Sequence, residues 1–553
     1  MKKAFILLVV SSFLFSGLHA QDLTSKFSAD KMRDRVKKIS SDEFEGRGPG
    51  SNGAKLATQY IADQLKAAGV QPGNKGSYFQ NVPLVGVKAD PMSYMRVERS
   101  GEAGKLYKFG DDFVGFTGAQ TANAELNSEL VFVGYGIDAP MYKWNDYKGP
   151  ADDFKGKVLM MLVNDPPATS SEPDLFGGKA LTYFGRWTYK YEEAARRGAA
   201  GVILVHTTDS AGYGWNVVRT SNGSWRYDIA RTAGDKTPFL QFKGWATNDA
   251  SAAMLAQAGL NLDDLREKAT RRDFQPVKTG VNVMLDLKSE IKKFDSPNVV
   301  GMLKGSDPKM SSESVVFSAH WDHFGIGEPG PNGDKIYNGA YDNASGVAAV
   351  LSIAEVLAKM PIKERPKRSF LFLFTTGEEQ GLLGSEYYSR HPLIPLAKTA
   401  ADVNLDGVNI FGKVSDFVAL GADRSSIIDQ INDAASERSF TIGGDKNPDK
   451  GFFYRSDHFP FAKVGVPSVN FQHGDNFTPA LTGDASTFYR DYTAKYYHQV
   501  TDEYHDWWDA SAMVQESELA LAIGMKLANV KEMPRFNTTD EFYSADKKRI
   551  PVK

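Results

Sequence analysis

The feature that most constrains the fold is a pair of short apolar runs, residues 314–319 and 369–375, each ending in polar residues. Runs of this length without alternation suit strands buried on both faces, as in a largely parallel sheet covered by helices on each side. After Pro297 the chain alternates such runs with helix-like patterns. The expectation is an α/β fold with a mixed, largely parallel sheet flanked by helices. In open sheets of this kind ligands bind beyond the carboxyl ends of the strands. The chemistry should therefore follow the apolar runs directly.

At 553 residues, 42% of them hydrophobic, the chain exceeds one ordinary domain and can fill more than one core. Residues 21–122 open with helical patterning. After the turn-rich stretch Gly46-Arg47-Gly48-Pro49-Gly50-Ser51-Asn52-Gly53, Leu56, Tyr60, Ile61 and Leu65 recur at helical spacing, and Gly69 is a stop. Residues 123–287 differ in texture: 130–133, 157–163 and 202–205 read as strands, and 189–197 as a helix closed by Gly198. This is a mixed α/β pattern without a cluster of metal-binding residues, and its isolated His206 reads as structural. The expected organisation is an insertion over 123–287 between two parts, 21–122 and 288–535, of one larger domain. Residues 536–553 form a polar tail whose order the sequence does not decide.

Residues 1–20 join Lys2 and Lys3 to an apolar run from Ala4 to Phe15 and a small residue at Ala20. That order reads as a secretory signal peptide cut before Gln21. The run is short for a membrane span, and no later stretch is apolar enough, so stable membrane insertion is not expected. The chain has no cysteine, which excludes disulfides, thiolate ligands and cysteine nucleophiles. An exported chain without disulfides suits a bacterial periplasm or exterior. The formal net charge is −3 and no Lys/Arg block stands out, so nucleic-acid binding has no support.

Several motifs fall where the fold argument places the chemistry. Ser318-Ala319-His320-Trp321-Asp322-His323 ends the first run, and in extended chain His320 and Asp322 face the same way. A carboxylate there can hold the far N–H of a metal-bound imidazole, although a satisfied strand-end pair explains the spacing as well. In Asn338-Gly339-Ala340-Tyr341-Asp342-Asn343-Ala344-Ser345-Gly346 one acid stands among small residues before a helix-like pattern. Its two oxygens can bridge two metal ions, or Asp342 or Asn343 can cap the helix. Glu378 and Glu379 follow the second run; two buried acids there need compensation, and an exposed acidic turn at a helix start is the other reading. Asp406 ends a strand-like stretch, and His498 lies among aromatics and acids. Without cysteine, any metal held by these groups is narrowed toward zinc or a similar ion.

Taken in order, His-x-Asp, Gly-Ala-x-Asp-Asn-x-x-Gly, Gly-Glu-Glu, Asn-Leu-Asp and Tyr-His resemble the M28 family of zinc metallopeptidases, which includes bacterial aminopeptidases and glutamate carboxypeptidases. The likeness covers about residues 22–108 and 296–531. It implies a zinc-exopeptidase, phosphorylase/hydrolase-like fold and two Zn2+ per chain. His320 and Asp406 would hold one ion, Glu379 and His498 the other, and Asp342 would bridge them. Asp322 would orient His320, Glu378 would be the general base and Tyr497 would stabilise the oxyanion. Asn343 stands where the family more often has Asp, which removes no ligand. The intervening segment resembles the protease-associated domain, on Tyr135, the 153–157 stretch and the turn Arg196-Arg197-Gly198-Ala199-Ala200-Gly201.

The reaction expected is removal of N-terminal residues from a peptide substrate. Arg455, Asp457 and His458, in a polar turn placed near the substrate cleft in the family, are the candidate substrate contacts, with a structural His458 as the alternative. A carboxypeptidase, a single-zinc glutaminyl cyclase and an inactive receptor-like module remain as other readings. Oligomeric state has no signal in the sequence.

Overall fold

The structure, a computed structural model, describes residues 25–223, 225–330 and 332–551, so the signal-peptide reading lies outside the described residues. Along the chain come α1 (Ala29–Ile39), α2 (Asn52–Ala67), β1 (Phe79–Ala89), β2 (Val277–Leu303), β3 (Ser314–His320), α3 (Ser345–Lys359), β4 (Ser369–Thr375), β5 (Thr399–Leu405), β6 (Ser468–His473), α4 (Gly483–Lys495) and α5 (Ala510–Asn529). These build the main sheet in the order β1–β2–β4–β3–β5–β6. The central pairs β4–β3, β3–β5 and β5–β6 are parallel. β2 lies antiparallel on β4 and β1 antiparallel on β2, while the strand Asp416–Leu420 runs antiparallel beyond β6.

Every residue of β3, β4 and β5 is buried, which is why these runs read as continuous rather than alternating. Their period of two still divides them between faces. Val315, Phe317 and Ala319 of β3 and Phe370, Phe372 and Phe374 of β4 share a core with α1, α2, α3 and α5. Val316, Leu371 and Leu373 face a second layer with Tyr388 and Phe461. Helices thus cover both faces. α5 comes especially close: a Cβ on Gly524 would stand 2.3 Å from the Phe317 ring. α2 begins where the sequence placed it, capped by the Ser51 side chain, and the chain turns away at Gly69 with φ +83°.

The second body is also mixed α/β. Asn123–Phe132, Val158–Leu162, Gly201–His206 and Phe242–Thr247 form a parallel run with apolar layers on both faces. Its start differs from the expected boundary at residue 123. Tyr94–Arg99, Lys105–Lys108 and Phe113–Phe116 belong to this second sheet, so it begins shortly after Ala89. Conversely, Arg226–Ile229 leaves the insertion and pairs with β1 at the edge of the main sheet. The long β2 joins the two bodies. Its first half pairs within the insertion and its second half within the main sheet.

The tail after Pro534 is docked. Phe536 and Phe542 are buried and a short helix spans Tyr543–Arg549. Among the described residues, no helix is long and apolar enough to cross a membrane.

Candidate metal centre

The five expected ligands meet at the carboxyl ends of the parallel strands. His320 is the last residue of β3, Asp406 follows β5 directly, and Glu378 and Glu379 occupy the turn after β4. Asp342 lies in the turn that leads into α3, and its peptide bond to Asn343 is cis. His498 follows α4 with φ 59°, a left-handed conformation uncommon outside glycine.

The geometry divides Asp342 between two pairs. Its Oδ1 lies 3.1 Å from His320 Nε2, which is also 3.3 Å from Asp406 Oδ1. Its Oδ2 lies 3.4 Å from His498 Nε2, which is 3.0 Å from Glu379 Oε2. Nitrogen and oxygen ligands at about 2.0–2.2 Å from a tetrahedral zinc stand about 3.3–3.5 Å from one another. The spacings on both sides of Asp342 are of that order, and the donor set is the His and carboxylate set that zinc accepts.

The electrostatics point to a cation as well. Burial lowers the basicity of His320, but Asp406, Glu378 and Asp342 outweigh it and hold its pKa well above the ordinary value. His498 is likewise pushed up to about 10 by Glu379 and Asp342 against the effect of burial. Burial and Asp342 push the Glu379 carboxyl up, yet His498 and His323 bring it down to about 2. Glu378 is different. Burial and the neighbouring carboxylates raise its pKa well above the carboxylate range, with His320 opposing.

Side chains beyond the five ligands hold this arrangement. The Asp502 carboxylate accepts the backbone N–H groups of Tyr341 (2.9 Å) and Asp342 (3.0 Å). Asn343 donates to the Leu405 carbonyl (3.0 Å) and accepts from the N–H groups of Gly346 and Gly407, tying the Asp342 turn to the strand that carries Asp406. The guanidinium of fully buried Arg47 donates to the carbonyls of Trp321, Ile39, Asn338 and Gly339. His323 is buried with Nδ1 2.5 Å from Glu379 Oε1. Ser456 donates to Asp406 Oδ2 at 2.6 Å. The Asp-four-after-His spacing of His498 and Asp502 and the second His of the 320–323 motif were the available signals; Arg47 and Ser456 had none.

Some expected roles change in detail. His320 Nδ1 meets the main-chain carbonyl of Asp322 at 3.1 Å, while the Asp322 carboxylate stays 4.0 Å away and accepts the Glu378 N–H. The hold on the imidazole therefore runs through the backbone. Tyr497 is 42% exposed and stacks on the His498 ring with centroids 3.6 Å apart. The turn 455–458 is corrected. Asp457 is fully buried and bonded to the hydroxyls of Thr375 and Ser385. His458 is fully buried against Phe453, with burial lowering its pKa to about 3. Neither meets the solvent from which substrate arrives. Arg455 alone of the three is exposed.

Comparison with known proteins covers the same region. Residues 298–523 match the model of peptidase family M28. The vacuolar membrane protease of Saccharomyces cerevisiae (strain YJM789) is 30% identical over 167 residues, 30% of this chain and 15% of the yeast protein. Aminopeptidase YwaD of Bacillus subtilis (strain 168) is 30% identical over 189 residues, 32% of this chain and 36% of that one. The chain thus spans well under half the length of these relatives. Among solved structures, an aminopeptidase from Aneurinibacillus sp. strain AM-1 matches with a TM-score of 0.51 and 20% identity, covering 93% of this chain and 97% of that one, a likeness of fold.

Proposed function

Residues 298–523 belong to peptidase family M28, and from that premise we propose that the chain is an exported di-zinc exopeptidase that removes N-terminal residues from peptides. The observation that carries this reading is the division of Asp342, one oxygen toward His320 and Asp406 and the other toward His498 and Glu379. The relatives named as aminopeptidases supply the direction of cleavage. The N-terminal 20 residues supply export, and the insertion is read as a protease-associated domain walling the cleft.

Zinc bound by these five residues supplies Lewis-acid polarisation of the scissile carbonyl and lowers the pKa of a nucleophilic water. The rest belongs to the chain. Asp322 accepts the Nδ1–H of His320 through its carbonyl, which leaves Nε2 free to act as a ligand. Glu378 is a buried carboxyl beside the ligand Glu379, placed to take a proton from the attacking water and return it to the leaving amine. The Tyr497 hydroxyl donates a hydrogen bond to the carbonyl oxygen as charge develops there.

Glu378→Gln tests the assignment. The variant should keep two zinc ions per chain by elemental analysis and lose on the order of 10²–10⁴ in kcat on a neutral tripeptide. Wild-type rates in the variant would overturn the base assignment. Cleavage of amine-blocked peptides as fast as free ones would overturn the aminopeptidase reading.

A further inference from the structure

Asp406 stands one residue past β5, at the head of a segment, residues 407–414, that lies in no helix or strand. The backbone groups of such a segment need partners from elsewhere. Two come from the turn that carries Asp342. The Gly407 N–H donates to Asn343 Oδ1 at 3.2 Å, and the Val408 N–H donates to Ser345 Oγ at 3.0 Å. Others come from the start of α5. The Asn409 N–H donates to Glu516 Oε2 at 2.9 Å, and the Ile410 carbonyl accepts the Asp509 N–H at 2.8 Å. The Gln515 amide bonds both the N–H and the carbonyl of Val414, at 2.9 and 3.0 Å.

Within this clamp Glu516 is out of keeping with its surroundings. It is wholly buried, and its neighbours along α5, Met513, Val514, Leu519 and Ala520, belong to the main apolar core. One of its oxygens has only the Asn409 N–H, and the other has no hydrogen-bond partner. Burial pushes its pKa up to about 8, opposed by that N–H. A half-satisfied buried carboxyl costs stability that an apolar side chain of similar length would not. What the carboxyl secures is a single backbone contact, three residues beyond a metal ligand. Asp406 itself is held at Oδ2 by Ser456 at 2.6 Å and turns Oδ1 toward His320 at 3.3 Å. With Oδ2 tied, the path of the main chain decides where Oδ1 points.

We propose that Glu516 is a positioning residue for the metal centre: through the Asn409 N–H it fixes the segment that leaves Asp406, and so aims the Asp406 carboxylate at the ion shared with His320. The inference rests on the two-zinc reading for the ion, and on the hydrogen bonds of the 407–414 segment for the role.

The experiment compares full-length wild type, Glu516→Gln and Glu516→Met by chelator competition for zinc, with the urea midpoint measured on each. Gln keeps a carbonyl oxygen for the Asn409 N–H; Met has a similar reach and no acceptor. Glu516→Gln should hold both ions within about three-fold of wild type. Glu516→Met should weaken one ion about ten-fold, leave the other unchanged, and regain kcat on a neutral tripeptide when zinc is in excess. Adding Ser456→Ala, which removes the direct bond to Asp406, should weaken that same ion further and spare the other. Should Glu516→Met not fold, Glu516→Asp, which retracts the carboxyl by one methylene, takes its place with the same expected loss. The role is overturned by unchanged zinc binding in Glu516→Met, even with a lowered urea midpoint, or by equal weakening of both ions. A loss in Glu516→Gln as large as in Glu516→Met overturns it too. Wild-type protein that holds one ion overturns the two-zinc reading instead, and the comparison of Glu516→Gln with Glu516→Met, read on that ion, still decides the positioning role.

Discussion

The ligands of a metal site are useful only if their oxygens and nitrogens are aimed, and here the aiming comes from residues far away in sequence. His323 is the sharpest case. Its Nδ1 touches the Glu379 oxygen that does not face His498. Replacing it by alanine removes the imidazole that lies against that oxygen and leaves the carboxylate free to rotate. His323→Ala should lower zinc affinity at the Glu379–His498 side by about 10–100-fold, the usual effect of losing a partner of a ligand. Chelator competition would reveal one weakened site and one unchanged; two unchanged sites would refute the role. The contrast with the ligands explains what the sequence disclosed. His320, Glu379 and Asp406 could be found because they follow apolar runs, a local pattern tied to where parallel strands end. Arg47 and Ser456 act through contacts spanning roughly 50 to 290 residues, and no spacing rule anticipates them. Asp457 was misplaced for the same reason, and the buried His458 follows the structural alternative left open for it: a polar turn looks exposed until the helices that cover it are known.

At the scale of elements, one residue fastens three helices under the sheet. Glu355 of α3 accepts from Lys31 and Arg35 of α1 and from Lys359, at 2.7, 2.7 and 2.8 Å. Arg35 also reaches Gln64 of α2. Burial pushes the Glu355 carboxyl up, but the three cations outweigh it and bring it down to about 2. A carboxyl depressed in the folded state adds stability that is complete above its unfolded value of about 4.3 and is lost as pH falls toward about 2. Two of the three partners are well exposed, which discounts the effect to about 1–2 kcal/mol at pH 7. Glu355→Gln should lower the urea midpoint accordingly at pH 7, and the gap to wild type should have narrowed markedly by pH 3. A gap independent of pH would show that the pair network contributes packing only. The helices themselves were legible, since their apolar faces repeat at helical spacing. The boundary of the insertion was not. Tyr94–Phe116 makes short strands that suit either sheet, and β2 runs unbroken through both, so no change of texture marks the crossing.

For the molecule as a whole, the question is what keeps two bodies and a tail in register around one cleft. Glu541 of the tail bonds the Arg424 guanidinium and accepts the Tyr454 hydroxyl at 2.8 Å, while its other oxygen accepts the Tyr183 N–H of the insertion at 3.2 Å. Arg424 is further held by Asp540 at 2.8 Å and lies over the Phe453 ring at 4.5 Å. The order of this tail was undecided in the sequence because its two buried aromatics, Phe536 and Phe542, pack on each other and on segments roughly 70 or more residues earlier. Removing Glu541 deprives a mostly buried guanidinium of one of two carboxylates and frees a main-chain N–H of the insertion. Loss of one partner of a fully buried pair costs roughly 3–5 kcal/mol; with Asp540 remaining, Glu541→Ala should cost about 1–3 kcal/mol. It should also open both the 172–183 segment and the tail to limited proteolysis. Asp449→Ala, which breaks only an exposed pair with Lys450, should stay within about 0.5 kcal/mol of wild type. A Glu541→Ala protein that matches wild type in stability and protease resistance would show that the tail does not hold the two bodies together.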